Sequence, residues 1–103
     1  MIKVEDKDFQ EGLVDKNYIV KFMAQWCGPC RAISPIMKEL EEKTGITVFE
    51  VDTDDQDILA SRYQIRSLPT VMFFKAGVEA PVETVIGMTS KQKFFDAAEK
   101  LTR

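Results

Sequence analysis

Cys27 and Cys30 are the two cysteines of this chain, and they sit in the string Trp26-Cys27-Gly28-Pro29-Cys30. Residues three apart share one face of a helix, so these two sulfurs can close a small disulfide ring. A short apolar run rich in aromatic and β-branched residues precedes them, and a helical pattern follows. Cys27 therefore falls at a helix N-terminus, where free N–H groups and the macrodipole favour an anionic sulfur. Such placement lowers a thiol pKa from about 8.5 to as little as ~3.5–7.5 and yields a nucleophilic thiolate near neutrality. Cys27 is expected to be the exposed thiol. Cys30, one turn inside the helix, is expected to be shielded and suited to attack an adjacent sulfur. Pro29 fits a first helical turn, where its missing N–H costs nothing. Gly28 leaves the backbone open to a docking chain. A metal clip and a pair of inert core thiols are the competing readings. A clip needs two further ligands, and the chain offers none of the right type unless it dimerises. Inert thiols explain neither the strand–helix junction nor the flanking Trp and Gly-Pro.

The rest of the composition narrows the setting. The chain has 103 residues, 45% of them hydrophobic, enough to bury its own core as one domain, 1–103. Lys and Arg number 14 against 17 for Asp and Glu, so the net charge is −3. That balance argues against nucleic acid as a partner, which calls for a basic face. There are no histidines, which removes the commonest metal ligand and the usual general base. No metal and no cofactor are expected. The acidic start, Met1-Ile2-Lys3-Val4-Glu5-Asp6, does not read as a signal peptide. The longest uncharged apolar-rich run, Leu68 to Phe74, is far below the ~20 residues that span a bilayer. A soluble cytoplasmic protein with no membrane partner is the expectation. In that compartment a close cysteine pair is a catalytic or metal-binding feature more often than a structural one.

Alternating elements must position the dithiol. A weak strand is predicted at Ile2 to Val4, and a first helix capped by Asp6 carries Phe9, Leu13 and Val14. Tyr18 to Ala24 reads as a strand buried on both faces. From about Pro29 to Lys43, Ile33, Ile36, Met37 and Leu40 fall at helical spacing, and Gly45 stops that helix. Pro35 lies inside it and predicts a kink. Thr47 to Val51 is the next strand, followed by a short helix capped by Asp54 or Asp55 with Ile58, Leu59 and Tyr63. Thr70 to Phe74 and Val82 to Ile86 read as a hairpin across the loop Lys75 to Pro81. Thr89 and Gln92 have capping-box spacing before a last helix with Phe94, Phe95, Ala98 and Leu101. The pattern predicts an α/β fold, a three-layer α/β/α sandwich around a mostly parallel sheet.

Over nearly its whole length the sequence resembles the thioredoxin family. The likeness is carried by Ala24-Gln25-Trp26-Cys27-Gly28-Pro29-Cys30 with Pro35, by Tyr63-Gln64-Ile65-Arg66-Ser67-Leu68-Pro69-Thr70, by Phe74 to Gly77, and by Gly87. The resemblance implies a mixed sheet of about five strands with four helices. It also implies reduction of protein disulfides, with electrons from a flavin-containing thioredoxin reductase, and the protein is expected to be a monomer. Carried over by position, Cys27 is the attacking thiol and Cys30 the resolving thiol. Pro69 matches the family's cis-proline facing the dithiol, and Leu68 can offer its backbone to an extended substrate as an added strand. Trp26, Gly28, Pro29, Leu68, Pro69, Gly87 and Met88 would form the docking surface for disulfide-containing protein substrates.

Two positions depart from the family pattern. A buried aspartate is usual six residues before the attacking cysteine, where this chain has Lys21, and a lysine is usual on the neighbouring strand, where it has Glu50. Acid and base are exchanged. Met23 also stands where a tryptophan is common. An unpaired ammonium in a core strand is costly, so Lys21 and Glu50 are expected to pair beneath the dithiol and to take part in proton transfer or pKa tuning at Cys30. The alternative is a Lys21 that reaches solvent. Function likewise has alternatives: an oxidant or isomerase of less reducing potential, or a binding subunit whose thiols are incidental.

Overall fold

Four strand-forming runs and one short edge segment build a sheet in the order β1-β3-β2-β4-β5. The computed structural model describes residues 1–4 and 15–102. Its elements are β1 (Ile2–Lys3), β2 (Tyr18–Met23), α1 (Gly28–Thr44), β3 (Thr47–Asp52), α2 (Asp57–Arg62), β4 (Thr70–Phe74), β5 (Glu83–Ile86) and α3 (Lys91–Glu99). The five strands are as expected. Three helices occur among the described residues where four were expected; the first expected helix, with Asp6, Phe9, Leu13 and Val14, lies outside them. β1 and β2 both pair with β3 in parallel, whereas β4 runs antiparallel to β2 and to β5. Four strands thus share one direction and β4 alone opposes them. The sheet is mixed, as expected, with the β4–β5 connection as the expected hairpin.

Burial explains the run-like sequences of the central strands. Ile19, Val48, Val71, Phe73 and Val85 form one face with Ile33, Met37 and Leu40 of α1 and Phe94, Ala97 and Ala98 of α3. Tyr18, Val20, Phe22, Val51, Met72 and Phe74 form the opposite face with Leu59 of α2. β2 and β4 are covered on both sides, so alternation between polar and apolar disappears from them. On the α2 side the Tyr18 and Phe74 rings stack at 4.7 Å.

The helix ends are set by local chemistry. Cys30, Ile33, Met37 and Leu40 make the buried stripe of α1. α1 runs on through Pro35, which lies on its exposed side. Gly45 closes it at φ 74°, its N–H donating to the Glu41 carbonyl at 2.9 Å. Two predicted caps are displaced. α2 is capped at Gln56 and not at Asp54 or Asp55, which belong to the preceding turn, where Asp52 accepts from the Asp54 and Asp55 amides. α3 is capped by Ser90, whose Oγ accepts from the Lys93 N–H at 3.2 Å. Thr89 is one residue too early, and Gln92 instead donates to Asp96.

Gly45→Ala tests the α1 terminus. No heavy atom would meet the added Cβ, so only the left-handed backbone opposes it. The expected loss is about 1 kcal/mol of unfolding free energy, read by urea denaturation.

Candidate active site at the head of α1

Strand direction gathers the site at one edge of the sheet. β2 and β3 both end there, while β4, running the other way, begins there: Phe22 pairs with Thr70, and Thr70 with Ile86. The loop from β2 into α1, the Leu68–Pro69 approach to β4, and Gly87–Met88 after β5 are thereby brought side by side. The Gly87 N–H, at φ 83°, donates to the Pro69 carbonyl at 2.8 Å and ties two of these segments together.

Cys27 is the N-cap of α1, in an extended conformation, and its Sγ accepts the Cys30 N–H at 3.1 Å. The two cysteines are joined by a disulfide, with Cα atoms 5.3 Å apart. α1 carries no acidic residue in its first turn. Negative charge developing on Cys27 therefore meets the positive end of a 17-residue helix with nothing in that turn to oppose it. The expected exposure of Cys27 is corrected. It retains 3% exposure and Cys30 none, because Ala24, Met23 and Leu68 close over both sulfurs. The asymmetry between the thiols is one of helix position first and of access second.

The other expected site residues surround this pair. Trp26 is 69% exposed, with its Nε1 donating to Asp54 Oδ2 at 2.8 Å. Gly28 and Pro29 are exposed in the first turn of α1. Leu68 is half-buried against the cysteines, the Leu68–Pro69 bond is cis, and Pro69 is buried. Met88 is exposed beyond Gly87. Asp54 was missed as a site residue because an aspartate before a helix reads as a cap.

Lys21 is buried at 1% exposure and is in register with Glu50 on β3. Its Nζ lies 3.3 Å from Glu50 Oε2, so the alternative of a lysine reaching solvent does not hold. A shorter bond of 2.8 Å goes to Ser34 Oγ, and the Ser34 hydroxyl in turn donates to the Cys30 carbonyl at 3.3 Å. Desolvation pulls the Lys21 pKa below its usual value, and Glu50 opposes that shift by Coulomb attraction and hydrogen bonding. The chain of bonds ends on the Cys30 carbonyl; among the described residues none runs from it to either sulfur. Ser34 was not singled out from the sequence, although its place four residues after Cys30 puts it on the same face of α1.

Sequence comparison agrees with this geometry. Residues 1–100 match the profile of the Thioredoxin family. The chain belongs to the thioredoxin family. It is 40% identical over 102 residues to a thioredoxin of Pyropia yezoensis, covering 95% of this chain and 94% of that one. A thioredoxin of Staphylococcus aureus is 32% identical over 102 residues, covering 97% and 96% of the two chains. Among solved structures, a mutant thioredoxin from Halobacterium salinarum superposes with a TM-score of 0.88 at 31% identity, covering 99% of this chain and 90% of that one. As a thioredoxin-family member, the protein is a thiol–disulfide oxidoreductase working by exchange at the Cys27–Cys30 pair.

The ion pair makes two stability predictions. Lys21→Met leaves Glu50 unpaired against the core and should cost about 3 kcal/mol, at the low end for such pairs because Glu50 is 15% exposed. Changing both residues, Lys21→Met with Glu50→Leu, should recover most of that loss in a urea double-mutant cycle. The pH dependence follows from linkage. Between the lowered folded pKa of Lys21 and 10.5, the unfolded chain binds the extra proton, so stability rises with pH across that window. Measured against the double variant, the wild-type protein should gain stability through the alkaline range and level off above 10.5.

Proposed function

We propose that this protein is a general protein-disulfide reductase, acting as one domain over residues 1–103. The observation that carries the reading is the redox pair at the head of α1, facing the Leu68–Pro69 segment at the sheet edge. In the reduced protein the Cys27 thiolate attacks one sulfur of a substrate disulfide. A mixed disulfide forms and the other substrate sulfur leaves as thiolate. Cys30 then gives up its proton and attacks the Cys27 sulfur, forming the Cys27–Cys30 disulfide and releasing the second substrate thiolate. Two electrons pass to the substrate, and a flavin-containing thioredoxin reductase returns two to the protein.

The surrounding residues have separate tasks. Leu68 presents backbone to an extended substrate segment, and Pro69 beside it has no N–H to compete for the sulfurs or the incoming chain. Trp26, Gly28, Pro29, Gly87 and Met88 form the apolar rim that receives the substrate. The Trp26–Asp54 hydrogen bond holds the indole by its edge and leaves its faces for contact. Lys21 and Glu50 act on the dithiol from beneath, as pKa-tuning groups.

Support for a monomer is that every one of these segments comes from one chain. A cytoplasmic location is supported by the cysteine usage, one close redox pair with no scaffold of structural disulfides. No described helix is long and apolar enough to cross a membrane.

Cysteine variants test the roles. Cys30→Ser should accumulate a mixed disulfide with a disulfide-bonded protein such as insulin, and Cys27→Ser should trap almost none. The reduced protein should be alkylated at Cys27 much faster than at Cys30, as mass spectrometry reads. Equal rates would overturn the assignment, and activity surviving the loss of both cysteines would mean a binding subunit.

A further inference from the structure

β5 is covered on one face only. Val85 is buried with Phe94 and Ala97 of α3. Thr84 and Ile86, in register with Met72 and Thr70, face the α2 side and are exposed, Ile86 by 66%. α2 does not cover them, since its buried Leu59 packs with residues of β2, β3 and β4 and none of β5. Between this bare face and the segment that leaves α2 runs a groove of about 270 Å³, lined by Gln64, Arg66, Met72, Thr84 and Ile86.

The wall opposite β5 has a local cause. α2 ends with the Ile65 N–H donating to the Ala60 carbonyl at 2.9 Å and the Gln64 N–H donating to the Ser61 carbonyl at 3.1 Å. That pair of bonds requires a left-handed residue, usually glycine, and here it is Gln64 at φ 55°. A side chain in this region strains the backbone. Gln64 is exposed, and its side-chain amide has no hydrogen-bond partner among the described residues, so no polar contact offsets the strain. Arg66 is also exposed and makes no ion pair or hydrogen bond among the described residues. Strain of this kind clusters at ligand clamps.

The groove is continuous with the docking rim. Ser67, on its wall, adjoins Leu68, and Ile86 adjoins Gly87, whose N–H is bonded to the Pro69 carbonyl. Its charge is one-sided. No carboxylate lines it, and Glu83 of β5 is held at 2.9 Å by Lys100, at the end of α3. On the other side of β2, β3 ends in Asp52 and leads into a turn with Asp54 and Asp55. The site edge is therefore basic on its β4–β5 flank and acidic on its β3 flank.

We propose that this groove is a substrate subsite, selecting disulfide-bearing proteins with an acidic residue close to the reacting cysteine on one side. The proposal rests on the reductase reading above and names the substrate class of that site. An extended segment leaving Leu68 lays an aliphatic side chain on Ile86 and brings its carboxylate to Arg66, with the Gln64 amide as a second donor. Arg66 is two residues from Leu68, at most about 7 Å of extended chain, so the carboxylate belongs about two or three residues from the cysteine. The same residue on the opposite side of the cysteine meets the acidic flank and is disfavoured.

Rates of reduction below saturation test this, with cystine peptides identical except for Glu, Gln or Lys two residues from one cysteine, on either side. On one side the Glu peptide should be reduced about threefold to fivefold faster than the Lys peptide at low ionic strength, and the gap should close in high salt. Arg66→Gln should bring the two rates together, and Arg66→Glu should reverse their order. Ile86→Ser should slow all three peptides. Gln64→Gly should weaken the preference while raising the urea midpoint, a combination that damage to the fold would not give. Equal rates for the Glu and Lys peptides on both sides, a faster Lys peptide on both, or a preference that persists in Arg66→Gln overturns the proposal. A wild-type protein that reduces none of the peptides would instead overturn the reductase reading.

Discussion

A helix must find acceptors for the N–H groups of its first turn, and in α1 one of those acceptors is a reactive sulfur. The Cys30 amide points at Cys27 Sγ because Cys27 occupies the N-cap, the position usually filled by a serine, threonine, asparagine or aspartate oxygen. A neutral sulfur is a poor acceptor and a thiolate a good one, so reducing and ionising Cys27 strengthens the cap as it creates the nucleophile. Local helix energetics and redox chemistry are the same interaction seen from two sides. The rest of α1 serves this end: its buried stripe from Ile33 to Leu40 anchors the helix on β2 and β3, and the Gly45 terminus fixes where it stops.

The opposed direction of β4 matters as much as the helix. In a sheet of uniform direction every strand would deliver its C-terminal end to the site edge. β4 delivers its beginning, so the cis Leu68–Pro69 segment arrives beside the loop that ends β2. β5, returning by a hairpin, then contributes its own end, and the Gly87–Pro69 hydrogen bond closes the rim. One reversal of strand direction thus assembles a surface from three distant parts of the chain.

Much of this was legible in the sequence, and what was not has identifiable causes. Continuous apolar runs placed β2 and β4 almost to the residue, because strands buried on both faces carry no competing signal. The Lys21–Glu50 pair was legible because a charge inside such a run demands a partner. The caps of α2 and α3 were misplaced because Asp54, Asp55 and Thr89 are chemically competent caps. Backbone geometry chose Gln56 and Ser90 instead, and sequence alone ranks such neighbours poorly. The near-complete burial of Cys27 was hidden because it depends on Leu68, forty-one residues away in the chain, folding over the sulfurs. Ser34 stayed hidden for a related reason: only the third dimension shows which lysine its hydroxyl meets.

Lys21 is the one residue of β2 that core packing alone does not call for. An apolar side chain in its place, matched by another at position 50, would satisfy the same space without desolvating a charge. Burial works against the ammonium and lowers its pKa, and Glu50 offsets only part of that cost. A sequence optimised for stability would not keep this arrangement at the centre of its sheet. Conflicts between local packing and residue choice concentrate where a protein does its chemistry. This one is joined, through a serine on the same helix face, to the backbone carbonyl of Cys30. The position of the conflict, more than the strength of the ion pair, sets Lys21 against the helix turn that carries Cys30.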